Sequence, residues 1–288
     1  MPRARPRLFN AMLSVREAFS GIVCAGGWPA RLWGMTAASR RVDVIVHRVE
    51  AFPAGHAPLR IAFLSDIHIG PTTAAHTLDA AFRLAAEARP DVLVLGGDHV
   101  FAGAKPWRVA ELRERVAAFP APRKLAVLGN HDYWTDHARV AAALRDAGAT
   151  VLVNQAVRLD GPHGDVALLG IDDPLTGVPD ADAAISACGD AAVRLAICHA
   201  PEGLPMLQGR GVRLLLCGHT HGGHIALPSR PLYVPGAVGR RHPHGRFEVG
   251  GLTMIVSRGV GAVSVPMRWN APPDVLVVDV VGRATSSP

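Results

Sequence analysis

Two mixed β-sheets packed face to face, with helices on both outer faces, make the four-layer α/β sandwich (α-β-β-α) that this 288-residue sequence predicts. Three observations carry that expectation. Short apolar runs end abruptly in clusters of Asp, Asn, His and Gly. The first three clusters recur at 32-residue intervals, from Asp66 to Asp98 to Asn130. After residue 150 the chain returns to strand-like stretches with little helix. A hydrophobic fraction of 49% against 19% charged residues excludes a disordered chain.

The first 41 residues stand apart. Residues 1–60 hold nine arginines against Glu17, Asp43 and Glu50, which is the whole formal excess of +6, and residues 61–288 are balanced. A neutral body argues against a protein whose main business is gripping a nucleic-acid backbone, so no specific nucleic-acid binding is expected. The apolar run Ala18–Ala30 is broken by Gly21, Gly26, Gly27 and Pro29 and stopped by Arg31, short of the roughly 20 residues a span needs. It also makes a poor signal peptide, with export left open. Two readings of residues 1–41 stand side by side: a basic extension in peripheral contact with an anionic membrane surface, or an untidy extension or overlong start with no role of its own. The remainder, residues 42–288, reads as one domain without a linker. Cys24, Cys188, Cys198 and Cys217 are widely spaced with no CxxC pair, which points to a reducing cytoplasm, peripheral to the inner membrane face on the first reading.

From residue 42 the pattern is regular. Val42–Val49 alternates and is rich in β-branched residues, as a half-buried strand is. Leu59–Leu64 precedes Ser-Asp-Ile-His, Asp91–Leu95 precedes Gly-Gly-Asp-His, and Lys124–Leu128 precedes Gly-Asn-His-Asp. The Ala-rich amphipathic stretches Thr77–Ala88 and Val109–Phe119 lie between them and predict helices, so the spacing gives two βαβ units with parallel pairing. Residues 151–170 read as short strands about a Gly-Pro turn. Arg194–Ile197 and Val212–Leu216 then end in Cys-His-Ala-Pro and Cys-Gly-His-Thr-His, and Leu252–Val256 and Val275–Val281 close the chain as strands.

Polar clusters at the ends of parallel strands lie where α/β proteins build their sites. Here each cluster supplies groups able to hold a metal: Asp66 and His68, Asp98, Asn130 with His131 and Asp132 beside it, His199, then His219 and His221. Carboxylate, amide and imidazole without thiolate suit Mn, Fe or Zn in a catalytic site. Seven ligands exceed the needs of one ion and match two ions about 3.5–4 Å apart, the arrangement used for displacement at phosphorus. Alone, each fragment is weak, because a strand-end Asp is more often a helix cap and a single His more often a hydrogen-bonded structural residue. Five fragments in order, each closing an apolar strand, are not explained that way.

Asp66-Ile-His68, Gly97-Asp98, Gly129-Asn130-His131-Asp132, His199 and Gly218-His219-Thr220-His221 together resemble the signature of the calcineurin-like metallophosphoesterases, over about residues 57–281. The stretches GIDDP (170–174), GHTHGGHIALP (218–228) and SRGVGAVSVPMRWNAPPDV (257–275) resemble the YkuE/YaeI-type phosphodiesterase branch, which includes relatives acting on a lipid A precursor. The resemblance implies a dinuclear hydrolase of phosphodiester or pyrophosphate bonds, in which a water or hydroxide bridging two divalent ions (Mn2+ favoured, or Fe2+/3+ or Zn2+) attacks phosphorus. It implies that Asp66, His68 and His221 hold one ion, Asn130, His199 and His219 the other, with Asp98 bridging. His131 would serve the departing or non-bridging oxygen, oriented by Asp132. The alternatives on the same core are a phosphomonoesterase or protein phosphatase, and a non-catalytic metal-binding scaffold. The substrate is a phosphoester, nucleotide- or lipid-linked in the reading favoured here.

Departures from the family pattern are few. His224 stands where the branch carries Gln, either reaching a substrate oxygen or replacing the Gln hydrogen bond. His99 follows the bridging carboxylate where an aromatic or apolar residue is usual, either lining the pocket or, in the reading favoured here, packing. Arg258 and Arg268 offer planar forks to phosphate oxygens, with a structural ion pair as the equal alternative. His47, His56, His76, His137, His163, His242 and His244 read as surface residues. Since every expected ligand lies beyond residue 65, removal of residues 1–40 is expected to spare hydrolysis of a small soluble diester.

Overall fold

The alternation of buried side chains divides each strand between two packing layers. A computed structural model describes residues 7–228, 230–264 and 266–283, with side chains from residue 12; the arm's Arg3 and Arg5 lie outside the described residues. Helices α1 (Arg7–Val23) and α2 (Trp28–Gly34) precede strand β1 (Asp43–Phe52). Then come β2 (Leu59–Leu64), α3 (Ala75–Glu87), β3 (Val92–Leu95), α4 (Pro106–Ala118), β4 (Arg123–Ala126), α5 (Asn130–Trp134), α6 (His137–Asp146) and β5 (Ala149–Val151). The second half runs β6 (Gln155–Arg158), β7 (Val166–Ile171), α7 (Ala181–Ser186), β8 (Val193–Cys198), α8 (Leu204–Leu207) and β9 (Val212–Cys217). It closes with β10 (Ala226–Leu227), β11 (Arg230–Pro231), α9 (Ala237–Arg241), β12 (Gly245–Val249), β13 (Leu252–Val256) and β14 (Asp274–Gly282).

One six-stranded sheet has the order β1-β14-β2-β3-β4-β5 and the other β12-β13-β9-β8-β7-β6, both mixed. Period-two alternation sends Leu59, Ile61 and Phe63 of β2, Val92 and Val94 of β3, and Leu195 and Ile197 of β8 into the core between the sheets. Ala62, Leu64, Leu93 and Leu95 face the opposite way, onto α3, α4 and α6. Leu169, Ala196, Cys198, Leu215 and Cys217 face α7 and α8. Three apolar layers therefore separate four layers of structure, the sandwich the sequence predicts. Each fully buried Leu, Ile or Phe contributes on the order of 1.5–3 kcal/mol, so the strand ends are held by a stiff double-sheet scaffold.

The connections β2-α3-β3 and β3-α4-β4 are parallel βαβ units, with the helices beginning and ending within three residues of their expected limits. Two features were not expected. The N-terminal segment contains a four-turn helix, and the C-terminal strand β14 inserts between β1 and β2. No described helix is long and apolar enough to cross a membrane.

Candidate active site

Every strand that ends in a polar cluster ends on the same edge of the sandwich. The chain leaves β2 through Ser65-Asp66, β3 through Gly96-Gly97-Asp98, β4 through Gly129-Asn130, β8 through His199 and β9 through Gly218-His219. The backbone there is driven into the left-handed region at non-glycine residues: φ is 51° at Asp66, 46° at His68, 55° at Asp98, 69° at His219, 53° at His221 and 57° at His224. Each such residue costs on the order of 1 kcal/mol or more and persists only where the surroundings dictate it. Gly97 shares this need (φ 94°). Gly129 and Gly218 are required for room instead, since a Cβ would collide with Asp98 at the first and with Ser65 and Asp66 at the second.

Hydrogen bonds stitch the two sheets together at this edge. The His219 N–H donates to both oxygens of Asp66, at 3.1 and 3.0 Å, and Ser65 Oγ donates to Asp66 Oδ2 at 2.7 Å. His199 Nδ1 donates to the Gly96 carbonyl at 2.8 Å, which turns its Nε2 toward Asp98 Oδ2, 3.1 Å away. That same Asp98 oxygen is 3.7 Å from His68 Nε2. His68 Nε2 and His221 Nε2 face each other at 3.2 Å, with Asp66 Oδ1 3.3 Å from His221 Nε2. Asp66, His68 and His221 thus form one candidate metal group and Asp98, His199 and His219 a second, with a further grouping of His68, Asp98 and His131 between them. All seven expected ligands are buried on this edge.

The electrostatics fit cations. Burial opposes charge on Asp98, yet His199 and His131 hold its carboxyl well below the usual carboxylate range. His199, against the same burial, is held well above its ordinary value by Asp98. Burial and neighbouring cationic groups push His68 and His221 well below theirs, leaving neutral rings with a lone pair to offer. Burial also raises Asp66, to about 6. Asn130 Oδ1 and His68 Nδ1 are buried without a hydrogen-bond partner among the described residues. A buried amide oxygen left bare is costly, and a metal would satisfy it. The donor set, all oxygen and imidazole, fits divalent metals of the Mn, Fe and Zn type.

A cavity of about 530 Å³ opens over this cluster. Asp98, Asn130, His131, His219, His221 and His224 form its floor, and apolar groups including Phe101, Trp134, Ile225 and Tyr233 form its walls. His224 stacks on His221 with ring centroids 4.4 Å apart, and burial with nearby Arg268 lowers it to about 3. The Met267 backbone works against that lowering, and the ring lines the cavity floor.

Several expectations are corrected. Asp132 does not orient His131. The short helix α5 turns its carboxylate back onto the N–H groups of Asp98, His99 and Gly129 and onto His99 Nδ1, at 2.9–3.0 Å, so it braces the loops that carry Asp98 and Asn130. Arg258 does not face the cavity but pairs with Asp274 at 3.1 Å and Asp43 at 2.9 Å, tying β13 to the first sheet. Arg268 is buried, donates to the carbonyls of Gly261, Arg258 and Ala271, and sits 3.0 Å from His221 Nδ1. His163 is buried beside Phe52 and His56 rather than on the surface.

The expectation that the arm is remote from the chemistry also meets a contrary geometry. Helix α1 forms one cavity wall through Leu13, Arg16, Glu17 and Ser20. Glu17 Oε2 lies 2.8 Å from His131 Nδ1. Arg16 and Glu17 were missed in the sequence. The available signal was Met12, Val15, Phe19 and Ile22 at helical spacing, with one acid on the other face of an otherwise acid-free segment.

Comparison with known proteins agrees with this geometry. The family model described as calcineurin-like phosphoesterase matches residues 59–223. The chain is 29% identical over 252 residues to the phosphodiesterase YaeI of Escherichia coli K12, covering 83% of this chain and 88% of that one. It is 27% identical over 245 residues to the uncharacterized metallophosphoesterase YkuE of Bacillus subtilis 168, covering 82% and 84%. It is 29% identical over 254 residues to an uncharacterized metallophosphoesterase of Aquifex aeolicus VF5, covering 84% and 92%. The chain belongs to the calcineurin-like phosphoesterase family and is a metal-dependent phosphoester hydrolase.

Proposed function

We propose that this enzyme is a dinuclear phosphodiesterase, acting on diester or pyrophosphate bonds. The observation that carries the reading is the single Asp98 oxygen lying 3.7 Å from His68 and 3.1 Å from His199, between two groups of potential ligands. Asp66, His68 and His221 would hold one divalent ion and Asn130, His199 and His219 the other, with Asp98 shared. Manganese is the ion proposed. Two such ions, when bound, neutralise the phosphoryl oxygens and lower the pKa of the attacking water.

The chain's own residues do the rest. Burial works against charge on His131, while Glu17 and Asp98 raise it, to about 9, and its ring is placed between Glu17 and the cluster. With Nδ1 committed to Glu17, the opposite nitrogen is left to face the cluster. It gives its proton to the departing oxygen as that P–O bond breaks, and solvent restores the proton afterwards. Arg16 takes the place of Arg258 as the guanidinium lining the cavity. His224, on the cavity floor, offers a ring N–H to a phosphoryl oxygen. The apolar walls favour a diester whose second arm is apolar or aromatic, consistent with a lipid- or nucleotide-linked substrate.

A membrane-peripheral position is part of this reading. Met12, Val15, Phe19, Ile22 and Val23 form an exposed stripe along α1, extended by Trp28, Leu32 and Met35 and flanked by Arg31, Arg40 and Arg41. Such a face suits the boundary of an anionic bilayer. The relative YaeI carries the name phosphodiesterase, which supports the diester assignment. The test is a paired assay of bis-p-nitrophenyl phosphate and p-nitrophenyl phosphate with Mn2+, with metal content determined by elemental analysis. Two metals per chain and a higher kcat/KM on the diester are expected. A wide preference for the monoester would overturn the assignment.

A further inference from the structure

Several side chains at the active-site edge come from outside residues 59–223, and one of them is a buried acid. Glu17 is the single acid in Arg7–Val23, and it is 5% exposed on a helix whose opposite face is open to solvent. A carboxylate is buried at such cost that it needs a partner for each oxygen. Glu17 has both: Oε1 accepts from the Ala102 N–H at 2.9 Å, and Oε2 accepts from His131 Nδ1 at 2.8 Å.

The docking is shaped on both sides. Gly21, one turn on, lies against Ala102, where a Cβ would come 3.2 Å from the Ala102 carbonyl oxygen. Arg108, buried beneath the loop, donates to the carbonyls of Phe101, Ala102 and Gly103 and so fixes the Ala102 N–H that Glu17 caps. His131 is boxed by Phe101, Trp134 and His68, with ring centroids 5.4, 4.6 and 4.9 Å away. Its own N–H donates to Asp98 Oδ1 at 2.8 Å. The ring is thus held at its faces by aromatic contacts, at its backbone by Asp98 and at its outer nitrogen by Glu17.

We infer that Glu17 is the positioning residue of His131, so that the N-terminal helix completes the active site. This rests on the reading of His131 as proton donor. Glu17 fixes Nδ1 as a donor and aims the other nitrogen at the scissile group, and it does not itself touch substrate. A carboxylate behind an imidazole is a general means of setting its tautomer and orientation.

The test uses a series of aryl methyl phosphates whose leaving phenols range from acidic to weakly acidic. Proton donation matters most for the weakly acidic phenols and least for p-nitrophenol. Glu17→Gln keeps an acceptor for Ala102 and removes the charge. It is expected to lower kcat about 10- to 100-fold at the weakly acidic end and under about threefold for p-nitrophenol, with KM and bound metal unchanged. Gly21→Leu, which leaves Glu17 intact but crowds Ala102, is expected to steepen the leaving-group dependence in the same way. On a His131→Ala background, Glu17→Gln is expected to cost nothing further. An equal loss across the series, or an additive loss on that background, overturns the inference. If His131→Ala alone leaves the leaving-group dependence unchanged, the proton-donor reading fails first and takes the inference with it.

Discussion

The strand-end cluster and the N-terminal helix serve one cavity by opposite means. At the strand ends the ligands are buried on loops of strained backbone, tied across two sheets by the Asp66–His219 and His199–Gly96 hydrogen bonds. Helix α1 reaches the same cavity from outside the sandwich, with one buried carboxylate and an outer face of exposed apolar residues such as Phe19 (63%) and Ile22 (72%). The first region is built to stay fixed while it holds metal charge. The second lines the cavity with Leu13, Arg16, Glu17 and Ser20 and hydrogen-bonds to the strand-end loops through Glu17, while its other face stays open to solvent. One part of the cavity is therefore locked between two sheets, and the other is laid against it from outside.

The comparison breaks most visibly at Asp98. Asp98→Asn keeps the shape but removes the charge shared by both ligand groups, so kcat/KM is expected to fall by about 10³-fold or more, with metal content reduced. Full metal occupancy with surviving activity would show that the two groups do not depend on that carboxylate. His131 stands where the two regions meet. His131→Ala is expected to lower kcat by about 10²-fold while elemental analysis still finds the metals, because the side chain serves the reaction rather than the ions. Loss of metals together with activity would place His131 in the cluster itself.

The outer face of α1 sharpens the contrast. Phe19→Glu with Ile22→Glu is expected to weaken co-sedimentation with anionic liposomes about tenfold at low salt, while hydrolysis of a soluble diester stays at the parent rate. A parent protein that ignores such liposomes would remove the membrane from the account. The smallest effect belongs to a pair on the opposite edge of the sandwich, where His56 Nε2 lies 2.8 Å from Asp165. Burial works against charge on His56, but Asp165 raises it above its ordinary value, and His56 in turn lowers Asp165. The His56 contribution is therefore complete below its unfolded pKa, and it is lost as pH rises through the folded one. His56→Ala is expected to lower Tm slightly at about pH 6, less at about pH 8.5, and to leave kcat unchanged at both. A change in kcat would mean that the far edge communicates with the site.

The strands and their polar ends were legible in the sequence because both signals are local. The apolar runs Leu59–Leu64 and Val92–Leu95 and the clusters that follow need no distant information. Glu17 was illegible as a site residue because its partner is 114 residues away, and the local pattern marks only a lone acid on an amphipathic helix. Asp132 misled because adjacency to His131 suggests contact, whereas a helical turn carries its carboxylate back to Gly129, Asp98 and His99. Arg258 resembled a phosphate contact until Asp274 and Asp43 were brought beside it by strands at the two ends of the domain. The need for Gly129 and Gly218 was illegible for the same reason, because the space they leave is occupied by Asp98, Ser65 and Asp66 from distant strand ends.

The position of β14 has a consequence for how the molecule comes into being. It pairs parallel to β1 on one side and antiparallel to β2 on the other. A chain that already holds every candidate ligand, from Asp66 to His221, still has a slot one strand wide between β1 and β2. Asp274, which anchors Arg258, and the hydrophobic residues Leu276, Val278 and Val280 follow all of those candidates in the sequence and fill the slot. Without them, β1 loses the strand it pairs with in its sheet. A chain cut short before β14 is therefore expected to carry the candidate ligands on an unfinished frame.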